Sequence, residues 1–406
     1  MHAFGRGRGK ITAFKSDDIQ YPAIFIPGNA GSQIWGKLNR SSVPHLWCSR
    51  HSNWFELWLD VRLLLPEVID CFVNNMLLIY NSTTNKTSNQ DGVDVQIPGF
   101  GQTSTIEYFD SSGLSYSSYF APIVRSLVAL GYTRGLNLRG APYDFRRAPD
   151  EQGDYFLNLT NLVMDTYEKN NQTKIVLITH SMGGPFALYW LHHITPEFKE
   201  KYIRSMVTIA APWAGAVKAL RLMASGDNID VYVVSPIRVR PYQRSAPSTA
   251  FVMPSPNFWS ADEVLVATPF KNYTVQNYKE FFTDINYPTG YQFWLNVKDL
   301  VDELKPPEIE VHALYSSQMS TPGVLLYDER TFPDLQPTVS YDNGDGTVNI
   351  RSLLAFQKWT DKQTQDIKSL ELPGVEHLAI LKHPTIINYV IQVLTGKFDK
   401  KYQPIL

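Results

Sequence analysis

The sequence predicts an α/β fold built on a mostly parallel sheet, and three observations carry that expectation. Two short continuous apolar runs, Tyr21–Pro27 (YPAIFIP) and Lys174–Thr179 (KIVLIT), have the composition of strands buried on both faces. Segments with apolar residues at helical spacing lie between and after them. The length of 406 residues and the 44% hydrophobic content allow a large core, in two or three domains or in one large domain carrying insertions.

Taken in order, the first run ends in Gly28-Asn29-Ala30-Gly31, so a buried strand enters a Gly-rich turn. Ser118–Leu130 carries Phe120, Ile123, Val124, Leu127 and Val128 at helical spacing and stops at Gly131. Tyr155–Tyr167 repeats the pattern through Phe156, Leu159, Leu162 and Val163. The KIVLIT strand follows, then an apolar helix over Phe186–Leu191 and a further strand over Tyr202–Ala210. Ile309–Tyr315 and Val348–Leu354 are expected to continue the core as strands, with Thr385–Leu394 a closing helix. Leu46–Gln96, rich in aromatics and leucine and then in Asn, Ser and Thr, breaks this rhythm; so does Val217–Pro307, which has many Pro, Tyr and Asn residues and no clear period. The expected organisation is therefore a core over 21–45, 97–216 and 308–406 with insertions at 46–96 and 217–307.

Composition excludes several classes. Lys+Arg 37 against Asp+Glu 39 gives a formal charge of −2, with no basic excess for a nucleic-acid backbone. The 13% aromatic content needs a packed interior and argues against a disordered chain. No uninterrupted apolar run reaches the roughly 18–20 residues that span a bilayer. Residues 1–20 begin MHAFGRGRGKITAF and read as a disordered or non-native leader. They lack the apolar stretch of a secretory signal, and Gly9-Lys10 is followed by neither Ser nor Thr, as a phosphate loop would require. Cys48 and Cys71 are too few for a disulfide scaffold, and by themselves fit one bridge as well as two buried thiols. Six glycosylation sequons, at Asn39, Asn81, Asn85, Asn158, Asn171 and Asn272, favour a secretory-pathway protein, in which a bridge persists. The native N-terminus is then expected to lie outside this sequence.

The chemistry centres on Thr179-His180-Ser181-Met182-Gly183-Gly184, between a buried strand and an apolar helix. A serine on such a tight turn has its Oγ pushed out above the sheet, and its neighbours must be small for the turn to close. Thr179 stands where the first glycine of the pattern usually is. A serine hydroxyl needs a base, and the base an orienting carboxylate. In sites of this kind the acid and then the histidine follow the serine along the chain. Downstream lie His312, His377 and His383. His377, in Gly374-Val375-Glu376-His377-Leu378, sits on a loop and suits the base; His312 alternates within a strand and His383-Pro384 starts a helix. Asp345, between two glycines in the turn Tyr341–Val348, is the candidate acid, with Asp342 behind it. The stretch lacks the register and terminal Glu of a calcium loop. Donors for an oxyanion are expected from the backbone N–H groups of Met182 and of Asn29. Trp35, Trp47, Trp54 and Trp58, followed by Leu57, Leu59, Leu63, Leu64 and Leu65, make either a helix packed on the core or an amphipathic surface resting on lipid.

Several stretches resemble the lecithin:cholesterol acyltransferase family, most of all its lysosomal phospholipase A2 branch. They are Asp91–Gln102 (DGVDVQIPGFGQ), Gly131–Pro149 (GYTRGLNLRGAPYDFRRAP), His180–Gly183 (HSMG), Ala211-Pro212-Trp213, Ala224–Asn228 (ASGDN), Gln243–Ala246 (QRSA), Gly344–Asn349 (GDGTVN) and Leu372–His377 (LPGVEH). The resemblance implies an α/β-hydrolase core, a membrane-binding subdomain at 46–96 and a lid or cap at 217–307. It matches Ser181, Asp345 and His377 to the family triad and Cys48 and Cys71 to its bridge. Trp47, Trp54, Phe55, Leu63, Leu64 and Leu65 are the side chains expected to meet a phospholipid membrane or lipoprotein-like surface. The implied reaction moves an acyl chain from a glycerophospholipid to water or to a lipid alcohol such as ceramide, with no metal or organic cofactor, in a lysosomal or secreted protein. A diacylglycerol- or sterol-acceptor acyltransferase, a neutral lipase, and an inactive lipid-binding protein on the same fold are the alternatives. At Asn29 the lysosomal branch usually has Asp; an amide keeps the backbone donor but cannot titrate, so less dependence on acid pH is expected here. The second bridge of the plasma acyltransferase branch has no cysteines in this chain.

Overall fold

In the computed structural model, which describes residues 20–228 and 234–397, six strands form a wholly parallel central sheet. They are β1 (Ala23–Ile26), β2 (Leu138–Gly140), β3 (Ile175–His180), β4 (Ile203–Ile209), β5 (Glu310–Ser317) and β6 (Ile367–Pro373), in the spatial order β6-β5-β4-β3-β1-β2. The leader expected over 1–20 lies, apart from Gln20, outside the described residues.

The continuous apolar runs are explained by burial on both faces. Ile24, Ile26, Ile175, Leu177 and Met206 point into one core, while Ala23, Phe25, Val176, Ile178 and Val207 point into the other. Period-two alternation is thus present in space but invisible in polarity, because both faces are covered. The helices Gly153–Lys169 and Gly183–His193 cover the first face with Leu159, Leu162, Val163, Phe186 and Leu191. The helices Ala121–Ala129 and Pro384–Thr395 cover the second with Ile123, Val124, Leu127, Ile386, Val390 and Leu394. Ile26 lies opposite Thr179 and His180 opposite Ile209, so the carboxyl ends of β1, β3 and β4 meet. Open parallel sheets bind their ligands at that edge.

Around residues 46–96 the chain builds a second, antiparallel layer. Ile34–Leu38 pairs with Phe55–Trp58 on one side and Val93–Gln96 on the other. The helix Ile69–Met76 buries Ile69, Phe72, Val73 and Met76, an i, i+3, i+4, i+7 stripe. Within 217–307 stand the helices Lys218–Ala224, Pro236–Ser245, Pro247–Phe251, Tyr278–Asp284 and Pro288–Val297. Two short strands of this region join Met319–Leu326 and Thr338–Gly344 in a four-stranded sheet.

One expected strand is corrected. Val348–Leu354 is a turn and a short helix, Ile350–Leu353, instead of a strand. Asn349 sits at its N-cap and its carbonyl accepts the Ser352 and Leu353 N–H groups. The strand of this region is Thr338–Gly344, just before the turn. Among the described residues no helix is long and apolar enough to cross a membrane. All six sequon asparagines are exposed.

Candidate active site

Ser181 follows the last residue of β3 and adopts φ 52°, a left-handed conformation that costs a non-glycine residue energy. The turn is held by the Ser181 N–H on the Ile209 carbonyl (2.9 Å) and the Gly184 N–H on the Ser181 carbonyl (2.9 Å). The two glycines are required by space: a Cβ on Gly183 would stand 2.5 Å from the Ile26 and Pro27 carbonyl oxygens, and one on Gly184 2.7 Å from Ala211 Cβ. Thr179 is fully buried at the position where a glycine was expected, and its Oγ1 has no hydrogen-bond partner.

His377 Nε2 lies 2.9 Å from Ser181 Oγ, and its Nδ1 lies 2.6 Å from Asp345 Oδ2. Asp345 is fully buried, and its other oxygen accepts the N–H groups of Thr347 (3.0 Å) and Val348 (2.7 Å). A carboxylate facing Nδ1 fixes the proton there and leaves Nε2 free to accept from the serine hydroxyl. The His377 N–H also bonds the Asp345 carbonyl at 2.9 Å, tying the two loops together. Serine, histidine and aspartate, 32 to 196 residues apart in sequence, are thus in one line of hydrogen bonds. Asp342 is exposed and accepts the Asn343 N–H, away from that line. His312 is buried on β5 with Nδ1 on the Tyr389 hydroxyl (2.9 Å) and Nε2 3.2 Å from Glu310; His383 caps the helix that follows it.

The expected oxyanion donors flank the serine. Met182 is the N-cap of the helix Gly183–His193, at the positive end of the helix dipole. Asn29 is exposed and follows Gly28, which is pressed so closely on the nucleophile that a Cβ there would come 2.7 Å from Ser181 Cβ. Behind these groups lies a pair not singled out from sequence. His180 bonds Tyr119 through one nitrogen and the His377 carbonyl through the other. A histidine ending a buried strand has two nitrogens to satisfy, and that was the only signal for it.

The 46–96 layer divides the expected lipid contacts. Cys48 and Cys71 form a disulfide with a Cα–Cα distance of 5.4 Å. Trp47 (65% exposed), Trp54 and Leu65 face outward, joined by Leu46 (95%) and Val61; Phe55 and Leu63 are half-buried. Leu64 is a correction: it is fully buried with Leu57, Ile69 and Phe72, because the turn Val61–Leu64 leads into the helix Ile69–Met76 and its last residue packs against that helix's buried stripe. Trp58 is also internal and donates its Nε1–H to the Ala30 carbonyl (2.8 Å), bracing the loop next to Asn29. Trp47 stacks on His45 (4.4 Å), His45 meets Asp70, and Arg238 of the helix Pro236–Ser245 grips the same carboxylate at 2.6 and 3.0 Å. That pairing, with His45 beside it, holds the Asp70 carboxyl below the usual range.

The model of the lecithin:cholesterol acyltransferase family matches residues 54–384. The chain is 42% identical over 376 residues to a lysosomal phospholipase A and acyltransferase of Homo sapiens, covering 92% of this chain and 90% of that one. It is 38% identical over 359 residues to a phosphatidylcholine-sterol acyltransferase of Gallus gallus, covering 88% and 86%. Among solved structures, a Tle4–Tli4 complex aligns with TM-score 0.51 at 13% identity, over 93% of this chain and 99% of that chain, a likeness of fold.

Proposed function

The chain belongs to the lecithin:cholesterol acyltransferase family, and on that footing we propose that it is a serine phospholipase A and acyltransferase working through an acyl-enzyme. The observation that carries this is the line Asp345 Oδ2, His377 Nδ1, His377 Nε2, Ser181 Oγ at 2.6 and 2.9 Å, at the carboxyl edge of a parallel sheet. His377 Nε2 takes the hydroxyl proton as Ser181 Oγ attacks the ester carbonyl carbon of a phospholipid. The carbonyl oxygen becomes an oxyanion held by the Asn29 and Met182 N–H groups, and Asp345 stabilises the imidazolium. Collapse breaks the ester C–O bond, and the imidazolium returns its proton to the leaving lysophospholipid. Water or a lipid alcohol then repeats the steps on the acyl-enzyme, so hydrolase and transferase differ only in the acceptor. Fluorophosphonate labelling followed by peptide mapping tests the nucleophile: one adduct on Ser181 is expected, and an adduct elsewhere or none would overturn the assignment.

Residues 46–96 supply the membrane contact, through exposed Trp47, Trp54 and Leu65 and half-buried Phe55 and Leu63, with Leu46 added. Removing Leu46 and Trp47 together (Leu46→Ser, Trp47→Ser) is expected to weaken binding to anionic phosphatidylcholine vesicles about 100-fold or more, from roughly 1.5–3 kcal/mol per apolar side chain buried. Turnover of a soluble short-chain ester should stay unchanged; equal loss on both substrates would contradict the assignment. Exposed sequons and a disulfide support a glycosylated protein of the lysosome or the secreted route.

With the non-titrating amide of Asn29 at this turn, activity depends less on acid pH than it would with an aspartate there. Asn29→Asp puts an ionisable carboxyl at the turn carrying an oxyanion donor; once ionised it opposes the developing negative charge, so activity should fall more steeply as pH rises. A pH–rate profile of Asn29→Asp unchanged from that of the native chain between about pH 3 and about pH 7.4 would contradict this; that window spans the ordinary aspartate value of about 3.9.

A further inference from the structure

The Tyr119–His180 pair is used by none of the steps above, yet it touches both sides of the reaction centre. Tyr119 is 2% exposed and His180 1%. The Tyr119 hydroxyl accepts the Gly28 N–H at 2.9 Å and lies 2.8 Å from His180 Nδ1. His180 Nε2 lies 3.1 Å from the His377 carbonyl oxygen, and the two imidazole rings are 4.9 Å apart. A carbonyl can only accept, so His180 Nε2 carries the proton. Burial first, and then the neighbouring His377 charge, push His180 well below the ordinary histidine range, so Nδ1 is bare. The Tyr119 hydroxyl must then donate to it. Every donor and acceptor is used once, in one direction: Gly28 N–H to Tyr119 Oη, Tyr119 O–H to His180 Nδ1, and His180 Nε2–H to the His377 carbonyl.

The packing makes this chain more than local satisfaction. The Gly28–Gly31 turn wraps the tyrosine ring so closely that a Cβ on Gly31 would stand 2.7 Å from Tyr119 Cε1. Gly28 itself is pressed on Ser181, and His377 carries the base. One end of the chain therefore fixes the loop that presents the Asn29 donor, and the other fixes the backbone of the base. The middle is the residue just before the nucleophile.

We infer that Tyr119 and His180 are positioning residues that hold the oxyanion loop and the His377 loop in mutual register about Ser181. This rests on the triad reading given above. Neither side chain exchanges a proton with substrate. Their contribution is to the geometry of the transition state, so their loss lowers kcat and spares KM.

The test uses the full chain and a soluble p-nitrophenyl butyrate assay, with thermal midpoints measured beside it so that rates are read where every variant is folded. Tyr119→Phe removes the link to the Gly28 loop. His180→Asn keeps an acceptor for Tyr119 but cannot reach the His377 carbonyl. Tyr119→Phe is expected to lower kcat about 10- to 100-fold with KM within about twofold, the scale of a small misplacement of reacting groups. Because both act through one chain, the double variant should be little worse than the more damaged single one. A Tyr119→Phe kcat within about twofold of the native chain overturns the inference, as does a double variant whose loss is the product of the single losses. If His180→Asn does not fold, the kcat and KM of Tyr119→Phe decide alone. Ser181→Ala separates the two readings: turnover surviving in it overturns the triad and this inference together. No turnover in Ser181→Ala with an unaffected Tyr119→Phe overturns this inference alone.

Discussion

Ser181→Ala is expected to lower phospholipid turnover by about 10⁵–10⁶, leaving only what the oxyanion donors and binding supply. On this mechanism the Ser181 hydroxyl is the attacking group, and His377 Nε2, 2.9 Å away, is placed to take its proton. His377→Ala should cost about the same, and the double variant no more than either, because the two act as a unit. Residual turnover above about 1% of the native rate in Ser181→Ala, on vesicles that both proteins bind equally, would place the chemistry elsewhere.

Asp345→Asn should lower kcat by about 10⁴ while keeping the fold. Thr347 and Val348 donate to Asp345 Oδ1, so in the variant the amide oxygen is held by those two N–H groups. The NH₂ is then turned toward His377 Nδ1, where it can only donate. That forces the proton onto Nε2, facing Ser181 Oγ with a donor where an acceptor is needed. The volume is unchanged and the backbone donors stay paired, so the thermal midpoint should move little. Fluorophosphonate labelling should slow in parallel with turnover; labelling at the native rate would show that Asp345 does not orient the base.

Much of this site was legible because its chemistry constrains local sequence. The short apolar run of KIVLIT has the composition of a strand covered on both faces, and His180-Ser181-Met182-Gly183-Gly184 follows it with two glycines where a Cβ would strike Ile26, Pro27 or Ala211. Asp345 stood out through its flanking glycines, and Gly344 is indeed crowded, with a Cβ position 2.2 Å from the Val348 carbonyl. What failed depended on tertiary context. In Leu63-Leu64-Leu65 composition is uniform, and only packing against the helix Ile69–Met76 decides that Leu64 enters the core while Leu65 stays out. Thr338–Gly344 went unread because it is polar and mostly exposed, a strand at the end of the smaller sheet. Val348–Leu354 has the apolar content of a strand but an N-cap at Asn349, which bends it into a helix. Tyr119 lies 61 residues before His180 and carries no local mark of its role.

The most direct test of the central claim is product analysis by mass spectrometry. Phosphatidylcholine vesicles containing an anionic lipid and a short-chain ceramide are incubated with the native chain and with Ser181→Ala. An acyl chain passing through Ser181 gives lysophospholipid in an amount equal to acylated ceramide plus free fatty acid, with all three products lost in the variant. Lysophospholipid formed equally by the variant, or no turnover by a native chain that binds the vesicles, would contradict it.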